Sequence, residues 1–324
     1  MANGVVSFAI RVDDINDSGL DLAIECGDDC VSKVRLREWA IKHQGKGWQQ
    51  LAIPMQCFEQ ADSDFSHVAQ PFTLEAGGKG QFAIANVQFK LAEQGNFTCP
   101  DMADLSTSPA TLNEYWSKAW WLPRHKEKVA RAQQGNIDLL MVGDSITHNW
   151  ENKEGKSVWQ SHFGDINTLN IGFSGDRTEN VLWRLNNGEV TGINPKLAVV
   201  MIGTNNTGHR MEKPRYIARG VERIISELKQ RLPNTNILLT AIFPRGHSAD
   251  DKLRKNNEQV NVLLGDIAKQ QGVMFTNFNT EFLTKNGTLS ADIMPDYLHP
   301  NSQGYEIWAS NLKPYVTKYV KQED

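Results

Sequence analysis

The sequence predicts an α/β protein: a three-layer domain with a parallel sheet, preceded by a small all-β sandwich of the jelly-roll kind. Three observations carry this. The first stretch is a series of short, partly alternating runs of β-branched and aromatic residues with no helical pattern between them. From Ile137 onward, near-continuous apolar runs alternate with helical ones, as buried parallel strands and their crossover helices require. Between the two lies a polar, turn-rich stretch that fits neither grammar.

In the first region the strand-like runs are 5–12, 20–27, 31–41, 48–55, 71–77 and 80–91, punctuated by Asp, Asn and Gly. Residues 94–112 read as a linker, so the expected division is a β-sandwich over 1–93, the linker, and an α/β domain over 113–324. The segment 114–134 reads as a helical entry. Trp116, Trp120 and Trp121 within it predict an apolar surface to be covered near the junction. The parallel-sheet strands are expected at 137–145, 168–175, 197–205, 236–244 and 273–278. The clearest helix is 214–233, with Ile217, Val221, Ile224, Ile225 and Leu228 on one stripe.

Composition excludes several function classes. With 324 residues, 40% hydrophobic and 22% charged, the chain can bury a real core. Lys+Arg 34 against Asp+Glu 38 leaves no basic footprint for nucleic acid. No apolar run of about 18 residues predicts membrane insertion. Residues 1–93 hold 13 Asp/Glu against 8 Lys/Arg, so the acidic excess lies there. Four cysteines are too few for a disulfide scaffold; Cys26 and Cys30 enclose a turn-like insert that suits a small-loop disulfide or two reduced thiols, as the compartment decides. The opening MANG lacks a basic n-region and an apolar h-region, and a processed start would read the same, so compartment stays open between cytoplasm and export. The pattern sets no oligomeric state.

Four loops at expected strand ends hold polar residues that folding alone does not demand. Gly143-Asp144-Ser145 can expose a hydroxyl beside a helix N-terminus, although Ser145 reads equally as an N-cap. Gly172–Gly175 can bring a backbone N–H close to a ligand. Gly203-Thr204-Asn205-Asn206 offers side-chain amides, which serve an oxyanion or an Asx turn. Asp296-Tyr297-Leu298-His299 spaces a carboxylate to hold one ring nitrogen and leave the other as a base. Arg177, beside the glycine loop, is a candidate substrate contact or a structural ion pair. No His/Cys/carboxylate spacing suits a metal, and the dinucleotide fingerprint is missing, so no cofactor is expected.

These stretches, VGDSITHNW, NIGFSGDRTENVLWRL, VVMIGTNN, FPRG and DYLHP, resemble the SGNH (GDSL-type) hydrolases, most closely the branch of the platelet-activating-factor acetylhydrolase catalytic subunits. The resemblance spans residues 113–320 or so and departs at Ile146, often Leu, and at Asn206, often Asp. It implies a flavodoxin-like domain, with Ser145 as nucleophile, His299 as base and Asp296 as its orienting carboxylate. It also implies an oxyanion hole of Ser145 N–H, Gly175 N–H and the Asn205 amide. In the first region CGDDC, GWQQLAIPMQCF and DFSHVAQPFTLEAGGKGQFAIANVQF resemble a galactose-binding-like module of bacterial family-3 β-glucosidases. Together they imply a bacterial-type serine esterase acting on short acyl, acetyl-type esters of carbohydrate or other small alcohols. A lysophospholipase or thioesterase, or a non-catalytic carbohydrate-binding protein, are the rival functions.

Overall fold

A computed structural model of the chain describes residues 4–25, 31–58, 65, 68–91, 94–99 and 102–321. It divides into two compact units, Met1–Met102 with Asn113–Ala119, and Ala103–Leu112 with Trp120–Asp324.

The first unit comprises β1 (Gly4–Ser18), β2 (Asp21–Glu25), β3 (Val31–Arg35), α1 (Arg37–His43), β4 (Trp48–Pro54), β5 (Gln70–Glu75) and β6 (Gly78–Leu91). Two antiparallel three-stranded sheets form, in orders β4-β1-β6 and β3-β2-β5. Strand alternation explains the core: β1 sends Val6, Phe8, Ile10 and Val12 inward, where they meet Leu22, Ile24, Leu51 and Ile53. The run 31–41, expected as one strand, instead breaks at Arg35 and turns into α1. In a helix Leu36 and Ala40 share a face, and both are fully buried, while the buried Arg37 donates from Nε to Ser18 O at 3.2 Å. Continued extension would have turned Leu36 and Arg37 to opposite sides.

A disulfide joins Cys57, in the turn after β4, to Cys99, in the segment after β6. This pairing was not foreseen, and Cys26 and Cys30, which read as either a small-loop disulfide or two reduced thiols, lie outside the described residues.

After α2 (Met102–Leu105), the second unit runs α3 (Trp121–Gln133), β7 (Leu139–Gly143), α4 (Ser145–His148), α5 (Lys153–Phe163), β8 (Thr168–Gly172), α6 (Thr178–Asn186), β9 (Leu197–Met201) and α7 (Thr204–Arg210). It continues through α8 (Pro214–Arg231), β10 (Asn236–Thr240), α9 (Lys252–Gln271), β11 (Met274–Thr276) and α10 (Ser302–Val316). Its five strands are all parallel, in the order β11-β10-β9-β7-β8.

The unbroken apolar runs have a simple cause. Leu140, Val142, Ala198 and Val200 enter one apolar cluster, while their neighbours Leu139, Met141, Leu197 and Val199 enter another on the opposite face. The α8 stripe Ile217, Val221, Ile224, Ile225 and Leu228 is fully buried in the first of these clusters. Burying each such side chain contributes about 2 kcal/mol. Trp120 and Trp121 also pack with that cluster, whereas Trp116, in the first unit, stays 40% exposed. Each strand stops short of its expected end, and the residues left over form the loops of the site.

Candidate active site

Three neighbouring strands, β8, β7 and β9, bring their carboxyl ends to one level, since Gly143 pairs with both Gly172 and Met201. Ser145 therefore stands beyond the middle strand, with Gly175 beyond one neighbour and Asn205 beyond the other. In a parallel sheet, the loops leaving the carboxyl ends are where ligands bind.

Ser145 opens α4 and is 8% exposed. The N-cap role open to it falls to Asp144, whose Oδ1 accepts from Ile146 N at 3.0 Å. That frees the Ser145 hydroxyl. Burial pushes the Asp144 carboxyl up to about 6, against the pull of His299 and Arg245. Tyr305, at the core side of α10, donates to Ile146 O at 2.7 Å and fixes the turn from below.

Ser145 Oγ lies 2.9 Å from His299 Nε2. On the other side of the ring, Nδ1 lies 2.6 Å from Asp296 Oδ2. A carboxylate only accepts, so Nδ1 carries the proton and Nε2 presents a lone pair to the hydroxyl. Asp296 Oδ1 also accepts from the backbone N–H of His299 at 2.7 Å and of Leu298 at 3.1 Å. Partial burial would raise this carboxyl, but the bonds from the His299 ring and backbone hold it below its ordinary value. The turn that allows this geometry puts Tyr297 at φ +55°, a left-handed conformation rare for a non-glycine residue. Tyr297 O accepts from Gly246 N at 2.8 Å, and its ring packs edge-on to His247.

Gly175 has φ +79°, which only glycine adopts without strain, and Gly203, the residue before α7, has φ +133°. Between them the Asn205 amide donates to Asp176 O at 3.0 Å. An amide nitrogen carries two hydrogens, so one remains. Asp176 is fully buried, its Oδ1 accepting from Trp121 Nε1 at 2.6 Å and its Oδ2 from Arg184 Nε at 2.8 Å. Sequence reading gave Asp176 and Arg184 no role and took Trp121 only as apolar surface, because these partners lie 55 and 8 residues apart and no local pattern links them.

Arg177, the candidate substrate contact or structural ion pair, is the residue that caps α6. It is 7% exposed, its Nε pairs with Glu179 at 2.7 Å, and Nη1 lies 3.0 Å from His209 Nδ1. Burial would raise the carboxyl of Glu179, but Arg210 and Arg177 outweigh it and hold it at about 2. The departure at Asn206 has a reason: buried completely, it accepts from Thr178 N and donates to Thr178 Oγ1 and Glu212 Oε2. An aspartate there would set a second carboxylate against Glu212. His148 is a neutral support, its Nδ1 accepting from Ser174 N at 3.3 Å. Burial and the Arg124 cation lower it to about 4.

Among the described residues no group of His, Cys, Asp and Glu is arranged to hold a metal ion, and no helix is long and apolar enough to cross a membrane.

Residues 141–307 match the model of the GDSL-like lipase/acylhydrolase family. The chain belongs to this family. It is an acylhydrolase, of the carboxylic ester hydrolase class. Human platelet-activating factor acetylhydrolase IB subunit alpha1 is 32% identical over 219 residues, 67% of this chain and 92% of that one. The rat alpha2 subunit is 34% identical over 203 residues, 62% and 86% of the two chains. Two solved structures share the acylhydrolase fold, each with a TM-score of 0.50. A GDSL-like lipase from Bacteroides thetaiotaomicron is 18% identical over 60% of this chain and 97% of that one. An acetyl xylan esterase is 16% identical over 56% and 100%. Residues 1–89 match a galactose-binding domain-like family.

Proposed function

We propose that this acylhydrolase is a serine esterase that removes short, acetyl-type groups from acylated carbohydrates through an acyl-enzyme on Ser145. The observation that carries the reading is the continuous relay from Ser145 Oγ through His299 to Asp296, at 2.9 and 2.6 Å. His299 Nε2 takes the hydroxyl proton as Oγ bonds to the ester carbon. The developing oxyanion sits against the N–H groups of Ser145 and Gly175 and the remaining Asn205 hydrogen. His299 then gives its proton to the departing alcohol as the ester C–O bond breaks. Water repeats the sequence on the acyl-enzyme, releasing the carboxylic acid and restoring Ser145. Asp296 keeps the ring in the productive tautomer and stabilises its cation.

The acetyl preference is supported by kinship to acetylhydrolase subunits at 32–34% identity, and the saccharide preference by the galactose-binding-like first unit. The test is a rate profile over p-nitrophenyl esters from acetate to decanoate, beside release of acetate from acetylated xylan and acetylated monosaccharides. Highest activity on short acyl chains, with acetate released from sugars, is expected. Rates that rise toward decanoate would replace the esterase reading with a lipase-like one. Ser145→Ala lowers turnover on the order of 10³-fold or more without unfolding the chain. Retention of a tenth of the rate would remove Ser145 as nucleophile.

A further inference from the structure

We propose that Asp176 is a positioning residue, which locks the Gly175 N–H and the Asn205 amide at one fixed spacing. The inference rests on the Ser145 reading above, which makes those two groups the oxyanion donors. They come from different segments, the loop after β8 and the first turn of α7, and two such segments have no reason to keep their spacing unless something ties them. Asp176 ties them. Its carbonyl accepts from the Asn205 amide at 3.0 Å, and its N–H donates to Phe173 O at 3.1 Å, closing the turn that contains Gly175.

The side chain holds that backbone in place. Trp121 Nε1 reaches Asp176 Oδ1 from α3, and Arg184 Nε reaches Oδ2 from α6. The Arg184 guanidinium also lies 3.9 Å from the centre of the Phe173 ring, inside the same loop. Its Nη1 pairs with Glu189, and Glu189 accepts from His125 Nδ1 at 2.8 Å. His125 is on α3, one helical turn beyond Trp121. The chain of contacts thus closes on itself: α3, Asp176, Arg184, Glu189 and back to α3. Asp176, Arg184 and Glu189 are all fully buried.

A closed ring of buried charge is a costly way to fill a core, since apolar side chains of equal volume would serve stability as well or better. What charge adds is direction. Each oxygen of Asp176 has one donor in a fixed place, so the carboxylate cannot rotate and the adjoining carbonyl and turn cannot drift. One oxyanion donor is worth about 10²–10³ in turnover, and misplacement by about 1 Å can forfeit 10².

The experiment uses the full chain and two substitutions. Asp176→Asn replaces an acceptor with a donor that faces Arg184 or Trp121. Trp121→Phe removes a single hydrogen bond and keeps an aromatic ring, so it decides the matter if the first variant does not fold. Steady-state rates on p-nitrophenyl acetate and the rate of phosphonylation by a p-nitrophenyl phosphonate are measured where melting curves show the variant folded. Expected are kcat losses of about 10-fold for Trp121→Phe and about 100-fold for Asp176→Asn, with KM within about threefold and phosphonylation slowed in proportion. Wild-type kcat in folded Trp121→Phe, or a loss in KM alone, overturns the proposal. Ser145→Ala run in parallel separates the two readings: residual turnover there overturns the nucleophile assignment, whereas an inactive Ser145→Ala beside an unimpaired Trp121→Phe overturns only the positioning role.

Discussion

The two units solve the same burial problem with different materials. In the first, one apolar cluster lies between two antiparallel sheets, and the buried charges among its described residues are Arg37 and Glu114. In the second, two apolar clusters cover the faces of a parallel sheet, yet Asp144, Asp176, Arg184, Glu189 and Glu212 are buried near its carboxyl edge. Apolar burial is non-directional and tolerates small shifts. Paired charges are directional and do not. The contrast teaches where positional accuracy is concentrated in this chain: in the unit that holds the serine.

The comparison can be broken or sharpened by substitution. The largest effect is expected from the staple of the first unit. Replacing both Cys57 and Cys99 by Ser opens a 42-residue separation. By the chain-entropy model this costs about 4 kcal/mol. Calorimetry should show a transition moved to lower temperature while the rate on p-nitrophenyl acetate at 25 °C stays unchanged. Loss of that rate in step with the shifted transition would show that the two units do not differ as described.

Next comes the ring of buried charge. Glu189→Gln removes one carboxylate from Arg184 and His125, and breaking a buried pair from one side costs about 3 kcal/mol. Thermal or urea unfolding of the second unit measures it. A change below 0.5 kcal/mol would make these charges as dispensable as surface pairs.

Tyr297 tests accuracy at the other side of the serine. Its left-handed backbone excludes β-branched residues, so Tyr297→Val should cost about 2 kcal/mol and lower kcat, while Tyr297→Asn should cost about half as much. Equal losses in the two variants would locate the role of Tyr297 in its ring on His247, not in its backbone.

The smallest expected effect is one of pH. His148 is lowered to about 4 from an unfolded value of 6.5. A base with a depressed folded value adds stability above its unfolded value and loses it as pH falls toward the folded one. The melting temperature should therefore fall less between pH 7.5 and pH 4.5 in His148→Gln than in the wild type. Asp144 and Asp176, raised to about 6 and about 7 by burial, act in the opposite sense over this window but are common to both proteins. A slope equal to wild type would mean that His148 protonates in the folded state as it does in the unfolded one.

Much of this was legible in the sequence, and the reason is periodicity. Leu139–Val142 and Leu197–Met201 read as strands buried on both sides because every residue in them is apolar, and Ile217–Leu228 reads as one helical stripe. Ser145, Gly175 and Asn205 stood out because each closely follows or ends a run with that grammar, although a cap or an Asx turn served Ser145 and Asn205 equally, and His299 stood out by the carboxylate three residues before it. The Asp296–His299 contact is local enough, three residues, to be read from spacing.

Other features depend on distances that no local pattern encodes. The sequence by itself determined the alternation of strands and helices in the second unit, its apolar faces and the loops that carry polar side chains, because those follow from local repeat and residue chemistry. Only the tertiary structure decided that the run 31–41 bends into α1, that Cys57 meets Cys99, and that Arg177 turns to Glu179. It alone brought Trp121, Arg184 and Asn205 to Asp176 from three separate elements. The physical reason is that hydrogen bonds and disulfides act over about 3 Å and fix partners by position in space, whereas hydrophobic periodicity acts through the repeat of the chain itself.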